Sequence, residues 1–237
     1  PDRYTIGKNR TWIRESLYCS HFGAAQDFTA KFEHVVDSFD KLGNRLVFIN
    51  DGATWIWRWV ESTYPNAICI LDCHHANQYL SNFAKIYFKE EKNRWEWENK
   101  QKQLLMEDGV EQVIENIDGL LAERKTVIEA KHKILTYFSN NRHRMLYKTY
   151  REQGLLIGSG PIESTHRFVI QKRMKQSGQR WTRKGGQKVA NLRLAYLNNQ
   201  WDYVLQLINN QIITNNYLPF VHLFFKACLP IANPLFF

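Results

Sequence analysis

The chain has 237 residues, with 32 Lys/Arg against 23 Asp/Glu and a formal net charge of +9, which is enough for one large or two small domains with a real core. Aromatic residues make up 14% and no tract is of low complexity, which excludes a disordered chain. Four cysteines (Cys19, Cys69, Cys73, Cys228) have no disulfide-framework spacing and nothing resembles a secretory signal, so a reducing, cytosolic setting is expected.

In chain order, Tyr4-Thr5-Ile6 and Leu17-Tyr18-Cys19 read as strands, with a turn near Gly7-Lys8-Asn9. Phe28, Phe32, Val35, Val36 and Phe39 recur at helical spacing and predict a helix from Ala24 to Leu42. Leu46-Val47-Phe48-Ile49 is a continuous apolar run of the kind buried on both faces of a sheet. Asp51 falls at its end and Gly52 supplies the turn. Thr54 is placed to cap a short helix from Trp55 to Thr63, and Ala67 to Leu71 forms a second buried strand ending at Asp72. Such a βαβ unit makes the two strands parallel, with Asp51 and Asp72 near the same edge. In open α/β sheets functional groups collect at the carboxyl ends of strands.

From Ala76 to about Gln153 only helices are predicted. Their apolar faces hold Tyr79, Phe83, Ile86 and Tyr87, then Val110, Val113 and Ile117, then Val127, Ile134, Tyr137 and Phe138. Trp95 and Trp97 sit in a charged stretch, where packing is the simplest role and base stacking the minority one. Next comes Gly158-Ser159-Gly160-Pro161-Ile162-Glu163-Ser164, a tight loop feeding a helix that runs to about Gln176. Pro suits the first helical turn, and a carboxylate there is favoured by the helix dipole, so Glu163 is either a ligand or a plain capping residue. Gly185-Gly186 precede a last clear helix, Gln187 to Asn198, which Trp201 to Asn209 extends. The apolar tail from Tyr217 to Phe237 is broken by Pro219, Lys226, Pro230 and Pro234, so no spanning helix of about 20 apolar residues is expected. The chain opens at Pro1 without a Met, as expected of a fragment.

The basic surplus is local. Residues 142–193 carry 13 Lys/Arg against two acids, Glu152 and Glu163, a net of +11, whereas residues 1–141 stand at −2. Within it Arg167, Lys172, Arg173, Lys175, Arg180, Arg183 and Lys184 surround Trp181. Clustered cations of this kind fit contacts to a nucleic-acid backbone, the bland alternative being a solvated basic face. Trp181 either anchors its loop by packing, the preferred reading, or stacks on an unpaired base. Two acids stand apart from the rest, Asp51 at a strand end and Glu163 at a helix start. Mg²⁺ is commonly held by one or two carboxylates plus phosphate oxygens, and paired ions stabilise both oxygens of an in-line displacement. A rival zinc site from Cys69, Cys73, His74 and His75 has a spacing that matches no common finger.

Four stretches carry a family resemblance: residues 48–57 (FINDGATWIW), 70–76 (ILDCHHA), 157–164 (IGSGPIES) and 173–181 (RMKQSGQRW). In this order they resemble the DDE transposases of bacterial insertion sequences, in the branch related to Mutator-like elements, over most of residues 10 to 205. The resemblance implies an α/β, RNase H-like mixed sheet interrupted by an all-helical insertion and followed by C-terminal helices. It divides the chain into residues 1–80 (core), 81–153 (insertion), 154–210 (catalytic-Glu helix and basic segment) and 211–237 (tail). It implies metal-dependent DNA cleavage and strand transfer with Mg²⁺ or Mn²⁺, transposon ends and target DNA as partners, a homo-oligomer on DNA, and a bacterial cytoplasmic, nucleoid-associated location. By the match Asp51 is the second metal-binding acid and Glu163 the third, while Asp72 and His75 fit a supporting motif. The first acid has no convincing counterpart and is expected upstream of Pro1, so the chain alone is expected to be inactive. A non-catalytic DNA-binding remnant and a purely hydrolytic RNase H-like nuclease remain as alternatives.

Overall fold

The computed structural model describes residues 3–6, 9–12, 17–40, 45–160 and 167–214. These divide into two compact units, one holding 3–12 and 45–160, the other 17–40 and 167–214. The chain is mostly helical, with a small two-stranded parallel sheet.

In the first unit, β1 (Arg3–Ile6) and β2 (Asn9–Trp12) form an antiparallel hairpin. Then β3 (Val47–Asn50), α2 (Thr54–Thr63) and β4 (Ile68–Leu71) form the expected βαβ unit, parallel and in register from Val47↔Ile68 to Asn50↔Leu71. Among the described residues the hairpin and this pair are separate two-stranded sheets, so no single mixed sheet is present there. Nor is β3 buried on both faces: all four of its residues are half-buried, whereas Ile70 and Leu71 of β4 are fully buried. Phe48 explains part of this, because its ring stacks on Tyr64 at 5.4 Å and meets the edge of Trp59 at 6.0 Å, an aromatic cover rather than a second layer. Thr54 is the first residue of α2 rather than its cap, and Ala53, at the cap position, has no side-chain acceptor.

The helices α3 (Cys73–Tyr87), α4 (Glu91–Met106), α5 (Val110–Asp118), α6 (Lys125–Asn141) and α7 (Tyr147–Glu152) follow, with a 3₁₀ turn at Arg142–Arg144. Leu80 and Phe83 of α3, Leu105 of α4, Val113 and Ile117 of α5, Ile134 and Phe138 of α6, and Tyr147 of α7 join Ile70 and Leu71 in one core. The boundary expected after residue 80 therefore falls inside α3 and inside this core. Burying such side chains stabilises by roughly 1.5–3 kcal/mol each relative to exposure, which binds helices α3 to α7 to the βαβ unit. Trp97 packs on Phe83 and Phe88, while Trp95 is largely exposed. Two polar devices add to the packing. Asp108, in a left-handed conformation (φ 63°), accepts from Lys148 N, Thr149 N and Thr149 Oγ1 and so caps α7 from 40 residues away. Buried Arg144 pairs with Glu61 of α2 and lies 4.7 Å over the Trp57 ring.

In the second unit, α1 spans Ala25–Asp40, α8 Arg183–Leu197 and α9 Trp201–Thr214. Arg167–Gln171 is π-helical and runs into one α-turn, Lys172–Met174. Val169, Ile170 and Met174 pack against Ala190 and Leu194 of α8. The expected strand at Leu17-Tyr18-Cys19 is not formed. Its backbone bonds to side-chain amides instead: Asn198 accepts from Tyr18 N and donates to Tyr18 O, both at 2.9 Å, and Gln187 binds Ser20 O and Phe22 N in the same way. α8 begins four residues earlier than expected, because Thr182 caps it by accepting from Gly185 N. Gly185 and Gly186 thus lie in its first turn, where Gly186 brings the helix against Met174. α9 is a helix of its own, set off by Asn199 at φ 57°. The Glu163 helix start and the tail lie outside the described residues, and no helix among those described is long and apolar enough to cross a membrane.

Candidate functional site

Asp51 and Asp72 stand at the carboxyl ends of adjacent parallel strands, as the βαβ pattern requires. Their environments are opposite. Asp51 is exposed. Its Oδ1 accepts from Ala53 N at 3.1 Å, a local turn that orients the carboxylate, and its main-chain oxygen accepts from the Tyr137 hydroxyl at 2.9 Å.

Asp72 is 1% exposed, and both of its oxygens are engaged. Oδ1 accepts from His74 N at 2.7 Å, capping α3. Oδ2 accepts from Ser159 N at 2.8 Å and from Ser159 Oγ. Alongside, Cys73 N donates to Ile157 O at 3.0 Å. Gly158 lies so close that a Cβ there would meet His74 Cδ2 at 2.9 Å. Asp72 is therefore a buried clamp that holds residues 157–159 against the end of β4. His75 is half-buried in the first turn of α3.

Divalent-cation chemistry asks for free oxygen donors. The Asp51 carboxylate is exposed to such an ion, whereas that of Asp72 is buried. Among the described residues no three His, Cys, Asp or Glu side chains gather to hold a metal. Glu163 lies outside the described residues. The zinc alternative has no geometric support, since Cys69, Cys73, His74 and His75 do not gather into a metal-holding group. Burial, and then the neighbouring Asp72 charge, push the Cys73 thiol up to about 12, and burial raises Cys69 as well.

In the other unit Arg167, Lys172, Arg173, Lys175, Arg180, Arg183 and Lys184 are all exposed, which is the condition for meeting a polyanion. Lys172 lies 5.7 Å over the ring of half-exposed Phe168, and Arg193 lies 5.0 Å over it. The indole N–H of Trp181 donates to Met174 O at 3.1 Å, so the loop between the Lys172–Met174 turn and α8 is tied back by its own Trp. That contact fits the anchoring role, although the residue is 39% exposed.

Two contributors escaped the sequence pattern. Tyr137 read only as an apolar position of α6, and Ser159 only as part of a loop. Their partners lie 86 and 87 residues away, and no local signal marks such pairs. Comparison with protein-family models, with curated proteins and with solved structures finds no match to this chain.

Proposed function

We propose that this chain is part of a DDE transposase with an RNase H-like sheet, which cleaves and transfers DNA strands during transposition of an insertion sequence. The observation that carries the reading is Asp51: an exposed carboxylate, held by its own turn, at the carboxyl end of a parallel βαβ unit. Support also comes from the exposed cations between Arg167 and Lys184, which suit a DNA backbone at transposon ends and target. Asp51 and Glu163 are the residues that would hold Mg²⁺ or Mn²⁺, Glu163 on the strength of its sequence motif alone. When bound, such ions stabilise the attacking and leaving oxygens of an in-line displacement. Asp72 and His75 support the site, Asp72 by fixing the backbone that precedes Pro161. A homo-oligomer on DNA belongs to the same reading.

A second reading, a DNA-binding remnant without catalysis, is favoured by one observation: among the described residues no three His, Cys, Asp or Glu side chains gather to hold a metal. The two separate when Mn²⁺ is titrated into the full chain. In a transposase, Asp51→Asn and Glu163→Gln each weaken Mn²⁺ binding at least about 10-fold, the scale of a lost ligand or its support. Equal binding by wild type and both variants would favour the remnant.

A further inference from the structure

We propose that Tyr137 is a positioning residue for the Asp51 carboxylate, acting through the Asp51–Gly52 peptide. The inference rests on Asp51 being a metal ligand and adds a role for the inserted helices in forming that site. Three elements converge on this peptide. Tyr137 of α6 donates its hydroxyl to Asp51 O at 2.9 Å. Its ring is fixed by Tyr79 of α3, stacked at 3.7 Å with 5° between the planes, and Lys133 lies 5.8 Å over the Tyr79 ring. Gly52 completes the arrangement at φ 96°, where a Cβ would stand 2.9 Å from Tyr137 Cε2 and 3.1 Å from Leu71 Cδ1. The phenol thus occupies the space a side chain at position 52 would need. With the Asp51 carbonyl held by Tyr137 and Oδ1 held by Ala53 N, the peptide and the carboxylate are oriented together.

Packing alone would not need the hydroxyl, since Phe fills the same volume. Partners of this outer kind change metal affinity by about 10–100-fold when removed.

The test compares the 237-residue wild-type chain with its Tyr137→Phe and Asp51→Asn variants by Mn²⁺ titration, melting temperature and amide exchange. Tyr137→Phe is expected to weaken Mn²⁺ binding about 10-fold at a near-wild-type melting temperature. Exchange should also quicken about 10-fold at Gly52 and Ala53, but not along β4, which follows local opening whether or not metal is present. If Asp51→Asn loses Mn²⁺ while Tyr137→Phe binds normally and its Gly52 and Ala53 amides exchange as before, the positioning role is overturned and the Asp51 site stands. Equal Mn²⁺ binding by wild type and Asp51→Asn overturns both.

Discussion

Two aspartates end adjacent strands, and their different fates are decided by partners rather than by position. Asp72→Ala would leave Ser159 N–H, Ser159 O–H and His74 N–H without their acceptor. An unsatisfied buried group costs about 1–3 kcal/mol, so urea unfolding should show a loss of about 2–4 kcal/mol, and a change below about 0.5 kcal/mol would mean the clamp is dispensable. Asp51→Asn, exposed, should leave stability within about 0.5 kcal/mol. The neighbouring Cys73 gives a pH signature. Its folded pKa is raised from 9.0 to about 12, so the fold favours the protonated thiol. That contribution is fully present below pH 9 and is lost as pH rises toward 12. Cys73→Ala should therefore flatten the alkaline fall in stability relative to wild type, and identical profiles would remove Cys73 as its source. The two strand-end acids were legible in the sequence from apolar runs that stop at Asp. Which of them is free was not, because the answer sits at Ser159.

At the scale of elements, helical periodicity placed α1, and continuous apolar runs placed β3 and β4, within a residue or two. Such patterning failed where side chains replace backbone partners, as Asn198 and Gln187 do for residues 18–22, and where a glycine pair reads as a break. Gly185 and Gly186 belong to α8 because Thr182 caps it. Thr182→Ala should cost about 0.5–2 kcal/mol. Trp181→Phe keeps a ring but removes the N–H to Met174 O, and about 1 kcal/mol of stability should go with it. If Trp181 anchors its loop, both variants melt earlier and bind intact and unpaired DNA ends in the wild-type ratio. A Trp181→Phe protein of unchanged stability with selectively poor binding to unpaired ends would assign the ring to base stacking.

For the molecule as a whole, charge distribution was the most legible property, since all seven cations named between Arg167 and Lys184 are exposed. The single core over residues 45–160 was not legible, because the sequence separates a helical stretch from a βαβ stretch and cannot show that Phe138 and Leu71 meet in one interior. DNA affinity should fall steeply with salt, and Lys172→Ala with Arg173→Ala should make the log–log slope shallower by about 2. An unchanged slope would place the DNA elsewhere. A carboxylate beside phosphates repels them unless a cation lies between, so the central proposal, Asp51 and Glu163 acting on DNA through a divalent ion, has a direct test. DNA affinity is measured with and without Mn²⁺ at constant ionic strength. The account predicts that Mn²⁺ tightens binding by wild type, and that Asp51→Asn and Glu163→Gln bind well without the ion and gain little from it. The same Mn²⁺ response in all three proteins, or none in the wild type, would contradict it.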